Sequence, residues 1–369
     1  TPVDRTVLAA MRPYFADNFY NPSAIYLAAR AVKKDVSAAR AEVAKVIGAK
    51  PSEIIFTAGG TEANNLAIAG IMRKYPNSNC VIASTEHESI QQVAARFAYK
   101  EVMVDAQGVI DIASLTKVIG PKTVLVSVAY ANSEIGTIQP LTQISKLVQS
   151  IRQQRKQQGN SLPLYLHTDA SQAACYLDMH VHKLGVDLLT LNGGKMYGPK
   201  QSGALYVKTG IELSPLILGG GQEANVRSGT ENVPAIIGFA RALHIAHQQA
   251  KNETTRMLKL QTYFIDRLQK TFPNSAINGS LKHRLPNNIH VTLPGIDNER
   301  VVMELDERGI MCATGSACSA SSEKPSKVLE AIGLSHDESR ASLRFTMGRS
   351  TTTAQIDKTM AALSKILHQ

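Results

Sequence analysis

Apolar residues recur at helical spacing from Ala28 to Ile47, and the run closes on Gly48. A period near 3.6 predicts an amphipathic helix, and a glycine just past its end predicts a left-handed cap. The texture then changes. Glu53-Ile54-Ile55-Phe56-Thr57 is short and apolar and runs into the pair Gly59-Gly60, which reads as a buried strand and a turn. The same unit recurs: Cys80 to Ala83 leads into Ser84-Thr85-Glu86-His87, Val124 to Val128 into Asn132-Ser133-Glu134, and Leu164 to His167 into Thr168-Asp169. Strands alternating with helices predict an α/β fold with a mostly parallel central sheet flanked by helices. Ligands of such sheets gather at the carboxyl ends of the strands, where these polar clusters fall.

Past Ala250 the pattern shifts to a long helical stretch (Thr254 to Phe272), strands around Asn288 to Leu293, a helix from Asp297 and a last helix from Thr353. A chain of 369 residues also exceeds the usual size of one hydrophobic core. Two domains are therefore expected: a large one over residues 5–250, and a smaller α+β one over 251–369 that includes residues 1–4.

Composition narrows the class. With 44% hydrophobic and 19% charged residues the chain is neither disordered nor fibrous. No apolar run approaches the roughly 18–20 residues that span a bilayer, and the first residues lack a signal-peptide pattern, so a cytoplasmic protein without a membrane is expected. Cys80, Cys175, Cys312 and Cys318 show neither a disulfide framework nor a Cys-x-x-Cys pair, so free thiols and no metal site are expected. The net charge of +10 is spread along the chain without a nucleic-acid motif. It reads as a solvated basic surface, or one suited to an acidic protein partner.

Three features carry chemistry. Gly59-Gly60-Thr61-Glu62 follows a strand and opens a helix, where backbone N–H groups and the Thr61 hydroxyl suit a phosphate; a plain threonine-capped turn has the same pattern. Lys195 lies in Asn192-Gly193-Gly194-Lys195 after an apolar strand, a setting in which a partly desolvated amine can form a Schiff base. Asp169 ends an earlier strand and suits the protonated nitrogen of a pyridine ring. Phosphate loop, lysine and aspartate together point to pyridoxal 5′-phosphate (PLP). Cys318 lies apart, in the small and polar run Gly315 to Pro325, unlike a core cysteine.

Thr57-Ala58-Gly59-Gly60-Thr61-Glu62-Ala63-Asn64-Asn65, Thr85-Glu86-His87, Asn132-Ser133-Glu134-Ile135-Gly136, His167-Thr168-Asp169-Ala170-Ser171-Gln172, Arg227-Ser228-Gly229-Thr230-Glu231-Asn232 and Gly315-Ser316-Ala317-Cys318 occur in this order. The series resembles the motifs of the cysteine desulfurase family over nearly the whole chain. The resemblance implies a fold-type I PLP-dependent transferase that converts L-cysteine to alanine and leaves a persulfide on Cys318. It further implies a homodimer that passes sulfur to acceptor proteins, such as an iron–sulfur scaffold or a carrier for tRNA thiolation. No direct nucleic-acid site is implied. By the same resemblance Lys195 anchors PLP, His87 stacks on its ring, Asp169 holds the pyridine nitrogen and Gln172 neighbours the phenolic oxygen. Gly60, Thr61, Asn192 and Thr230 attend the cofactor, with Thr230 supplied by the dimer partner. Asn132, Ser133 and Arg344 attend the substrate, Arg344 through its carboxylate.

The family pattern is broken in three places. Gly194 stands where the family has histidine, Asn192 where it has serine, and Ser133 where it has asparagine. The first two changes replace a cationic and a hydroxyl donor to the phosphate, so weaker cofactor retention is expected. A selenocysteine lyase-like enzyme and a non-catalytic sulfur-transfer scaffold are the alternatives that such departures keep open. Cys318→Ala is predicted to abolish sulfide release from cysteine while leaving the cofactor's absorbance intact; a variant with full activity removes Cys318 from the reaction.

Overall fold

The computed structural model describes residues 1–315 and 326–367. The backbone divides into two compact units. The first comprises Thr1–Val102, Ile112–Tyr130 and Pro140–Ala250; the second comprises Met103–Asp111, Ala131–Gln139 and the chain from Lys251 onward.

The first unit is built on seven strands: β1 (Ile54–Thr57), β2 (Asn79–Ala83), β3 (Tyr99–Val102), β4 (Thr123–Ser127), β5 (Tyr165–Asp169), β6 (Leu188–Asn192) and β7 (Gly203–Val207). They lie in the order β1-β7-β6-β5-β4-β2-β3. Only β7 runs against the rest, pairing antiparallel with both β1 and β6. Strands covered on both faces read as continuous apolar runs rather than as alternation, and every residue of β4 and β7 is buried. The helix Gly60–Lys74 supplies much of one covering layer. Its Leu66, Ile68, Ile71 and Met72 pack in one cluster with Cys80, Ile82, Leu125, Leu188 and Leu205, each large side chain contributing about 1.5–3 kcal/mol through burial. The predicted first helix spans Leu27–Ile47, and Gly48 caps it at φ +68°. A β-carbon there would collide with the His180 ring at 2.3 Å, so glycine is required twice over.

The second unit has a three-stranded antiparallel sheet of β8 (Ala276–Ile277), β9 (Asn288–Thr292) and β10 (Ser342–Thr346), in the order β10-β9-β8. Its helices include Asn298–Glu307 and Thr353–Leu367. Asp297 caps the former by accepting the N–H groups of Glu299 and Arg300, as its place before the apolar run predicts.

Two boundaries differ from the sequence reading. Residues 1–4 belong with the larger unit, because the Asp4 N–H donates to the Tyr197 carbonyl at 2.9 Å and Lys200 donates to the Thr1 carbonyl at 3.3 Å. Residues 103–111 and 131–139 belong with the smaller unit. Their polar groups are satisfied there: Gln139 accepts the Ile110 N–H at 3.0 Å, the Ile138 N–H donates to the His283 carbonyl at 2.8 Å, and Asn288 donates to the Glu134 carbonyl at 2.8 Å. The long helix also starts earlier than expected, running unbroken over Val233–Thr271. The polar stretch near residue 250 interrupts its apolar stripe, but Gln, Ala, Lys and Glu are good helix formers.

Candidate active site

The register of the first sheet aligns three strand ends. Gly203 lies opposite Thr57 of β1 on one side and Asn192 of β6 on the other. A β-carbon on Gly203 would stand 2.7 Å from the Gly59 Cα and 2.7 Å from the Leu191 carbonyl oxygen, so only glycine lets the Gly59 backbone rest here. Gly59 has φ +123° and begins the turn into the helix Gly60–Lys74. Glu62 clamps that turn by accepting the Ala58 N–H at 2.9 Å and pairing with Arg227 at 2.9 Å. The positive end of a fifteen-residue helix is thus set over the ends of β6 and β7.

Gly60 opens a small polar cradle. Its missing β-carbon would lie 3.0 Å from Ser171 Oγ and 3.2 Å from Asn192 Nδ2. Ser171 Oγ is buried without a hydrogen-bond partner in the protein, a donor held ready for something the chain does not supply. Thr61 is exposed on the first helical turn. Asn192 Oδ1 accepts the Gly194 N–H at 3.1 Å and so shapes the short turn Gly193–Lys195. Lys195 ends that turn with its side chain exposed, while its carbonyl receives the Cys175 thiol at 3.9 Å. Gly194 is not sterically required, since a β-carbon there would make only ordinary contacts of 3.4 Å or more.

Asp169 ends β5, next to β6. Its Oδ1 accepts the Ser171 N–H at 2.9 Å and its Oδ2 accepts Asn64 Nδ2 at 2.7 Å. His87 caps the helix Glu88–Ala94, with Nδ1 accepting the Ser89 N–H at 3.0 Å. The helix-capping alternative for this histidine is therefore realised, yet the residue itself remains exposed. Gln172 follows in the turn after β5, half-buried. Beneath these groups lies Glu86, whose Oε1 accepts the Ala129 N–H at 2.7 Å and whose Oε2 is buried without a partner. Burial, with a smaller contribution from the Asp169 charge, pushes the Glu86 carboxyl up to about 8. Burial also holds His167 neutral by pushing it down to about 4.

Thr230 is exposed at the end of a loop with three successive left-handed residues, Glu223, Ala224 and Asn225. That loop is held by Glu223, which takes two bonds from Arg40 at 2.7 and 2.6 Å and the Phe56 N–H at 2.8 Å. A charge-assisted clamp of this kind offsets the cost of left-handed backbone.

Asn132, Ser133 and Arg344 lie in the second unit. Asn132 Oδ1 accepts the N–H groups of Glu134 and Ile135, so this oxygen builds the turn. Arg344, on β10, donates from Nη1 to the Ser133 carbonyl at 3.3 Å, which brings two of the three together. Its backbone bridges Ala313 at 2.6 and 3.2 Å, and Ser326 donates to Glu134 at 2.6 Å. The chain on both sides of Cys318 is thereby pinned beside Ser133 and Arg344. Cys318 lies outside the described residues.

The sequence profile of the class-V aminotransferases matches residues 1–359. The cysteine desulfurase IscS of Dictyoglomus turgidum is 38% identical over 376 residues, covering 100% of this chain and 93% of its own. The chain belongs to the cysteine desulfurase family of class-V aminotransferases. Cysteine desulfurase IscS 1 of Archaeoglobus fulgidus is 37% identical, covering 100% of this chain and 95% of its own. Among solved structures, a NifS-like protein superposes with a TM-score of 0.90 at 30% identity, covering 100% of this chain and 97% of that one. The family's cofactor is PLP, and the residues present fit it. The Gly60 cradle, the unpartnered Ser171 hydroxyl and the helix N-terminus form a phosphate-sized donor set, while Asp169 offers a carboxylate and Lys195 an amine.

In this family member, motif reading missed Glu86, Asn64, Ser89 and Ser171 as members of the site. The available signal was polarity in the wrong place: Asn64 and Ser89 are polar positions on otherwise buried helix faces. Gly60→Ala is predicted to fill the cradle and weaken PLP binding at least roughly tenfold, one good hydrogen bond's worth, as read by cofactor fluorescence; unchanged binding refutes the cradle. Glu86 gives a pH signature. Because its folded pKa stands above its ordinary 4.5, stability is fully present below that value and is lost as pH rises toward about 8, at about 1.36 kcal/mol per pH unit. Glu86→Gln should flatten that decline in denaturant titrations between pH 5 and 8, and an unchanged slope assigns the decline to another group.

Proposed function

We propose that this protein is a PLP-dependent cysteine desulfurase that transfers the sulfur of L-cysteine to Cys318 and releases alanine. The observation that carries this reading is the convergence, at one end of one sheet, of the Gly60 cradle, Asp169 and the Lys195 turn. It occurs in a chain more than a third identical, over its whole length, to cysteine desulfurases.

The helix N-terminus, Thr61, Ser171 and Asn192 hold the phosphate, joined by Thr230 from a second copy. Asp169 keeps the pyridine nitrogen positively charged, and Gln172 attends the phenolic oxygen. When bound, PLP supplies a sink for electrons released at the substrate carbon. Lys195 anchors the cofactor; once displaced by substrate, its free amine takes the Cα proton. Arg344, oriented by the Ser133 carbonyl, pairs with the substrate carboxylate. The Cys318 thiolate attacks the substrate sulfur, so an S–S bond forms as the carbon–sulfur bond breaks and its electron pair stays with carbon. His87 transfers a proton at the substrate. Burial raises the Cys80 thiol to about 12 and the Cys312 thiol to about 11, which makes both poor thiolates and supports Cys318 as nucleophile.

A homodimer is part of the reading. Phe15, Phe19, Ile25 and Leu27 are 64, 66, 93 and 82% exposed, an apolar stretch that suits a second copy of this chain. The free thiols of Cys80, Cys175 and Cys312 suit a reducing cytoplasm. From Cys318 the sulfur passes to acceptor proteins for iron–sulfur clusters or tRNA thiolation.

The test is sulfide and alanine release from L-cysteine by the full chain with PLP and a thiol reductant. Equal amounts of both products are expected, together with a near-visible absorbance band that Lys195→Ala removes. The same substitution should slow turnover by roughly 10²–10⁴, the range of a lost acid–base group. A PLP-loaded chain that releases no sulfide ends this reading.

A further inference from the structure

We propose that Asn64 and Ser89 are positioning residues for His87. Together they hold its ring as the tautomer with hydrogen on Nε2, so that His87 meets the substrate as a hydrogen donor rather than as a base. The functional consequence rests on the desulfurase reading, whereas the tautomer does not.

Four side chains of the first unit form one hydrogen-bonded chain. Asn64 Nδ2 lies 2.7 Å from Asp169 Oδ2 and 2.8 Å from Ser89 Oγ, and Ser89 Oγ lies 2.8 Å from His87 Nδ1. Hydrogen direction along it follows from chemistry alone. A carboxylate only accepts, so the Asn64 atom facing Asp169 is the amide nitrogen, and the same nitrogen donates its second hydrogen to Ser89 Oγ. At the other end the Ser89 backbone N–H, which can only donate, points at His87 Nδ1 from 3.0 Å. A hydrogen on Nδ1 would collide with it. Nδ1 is therefore bare, and the Ser89 hydroxyl, already accepting from Asn64, has Nδ1 as the acceptor for its own hydrogen.

A neutral imidazole with both donors on Nδ1 carries its hydrogen on Nε2, as the partner of one ring nitrogen decides the state of the other. The bridge is enclosed: Asn64 is 1% and Ser89 8% exposed, where low local dielectric strengthens hydrogen bonds. His87 itself is exposed, which leaves Nε2 as the working nitrogen. The helix cap and the bridge to Asp169 thus serve one purpose, the orientation and tautomer of the ring.

The experiment is nitrogen-15 NMR of the PLP-loaded full chain labelled at histidine, with the His87 signals assigned by their loss in His87→Gln. Wild type should show a bare Nδ1 and a hydrogen-bearing Nε2. In Ser89→Ala the backbone donor still keeps Nδ1 bare but the side-chain hydrogen bond to it is lost, so the Nδ1 signal should move away from the hydrogen-bearing type, toward that of an unbonded ring nitrogen; Asn64→Leu should move it the same way, and Ser89→Thr should restore it. Sulfide turnover in Ser89→Ala should fall roughly three- to tenfold at unchanged KM, the scale of one net hydrogen bond. A hydrogen-bearing Nδ1 in wild type overturns the proposal without any variant, and so does a Ser89→Ala spectrum identical to wild type. A chain with the expected tautomer that releases no sulfide refutes the desulfurase reading and leaves the tautomer standing.

Discussion

Everything at the working end of the first sheet depends on an atom that is missing. Gly203 has no β-carbon, so the Gly59 backbone can lie against β7 at a distance no other residue permits. That contact places the start of the helix Gly60–Lys74 over the ends of β6 and β7, and it sets Gly60 beside Ser171 and Asn192. The antiparallel course of β7 is part of the same arrangement. By running between β1 and β6 it puts one glycine opposite both Thr57 and Asn192, and so brings together strand ends from distant parts of the chain.

Polarity is then concentrated where burial makes it costly. Glu86, Asn64 and Ser89 are all buried close to Asp169, and nearly all of their hydrogen bonds are made to one another, to backbone or to residues of the site. A buried carboxyl raised to about 8 weakens the fold as pH rises. The arrangement puts orientation at Asp169 and His87 ahead of stability, a pattern common at functional sites.

Much of this was legible along the chain. The helix closing on Gly48, the strand ending in Asp169, and an apolar strand ahead of the Lys195 turn all follow from local periodicity and turn chemistry, because burial on one or both faces imposes its own period. The family motifs named Lys195, Asp169, His87 and Gly60 by order alone. What local pattern could not show was membership over distance. Residues 103–111 and 131–139 join the smaller unit through hydrogen bonds to partners up to 211 residues away, as Arg344 and Ser133 illustrate.

The sequence by itself determined most of the elements and the family, and it named the candidate reactive side chains, since those readings depend on residue type and on neighbours a few positions apart. Only the tertiary structure decided what those side chains face. That Ser171 lacks a partner, that Gly194 has room for a side chain, and that Asn64 joins Asp169 to His87 through Ser89 are facts about through-space contact. Hydrogen bonds act over about 3 Å in space and take no account of separation along the chain.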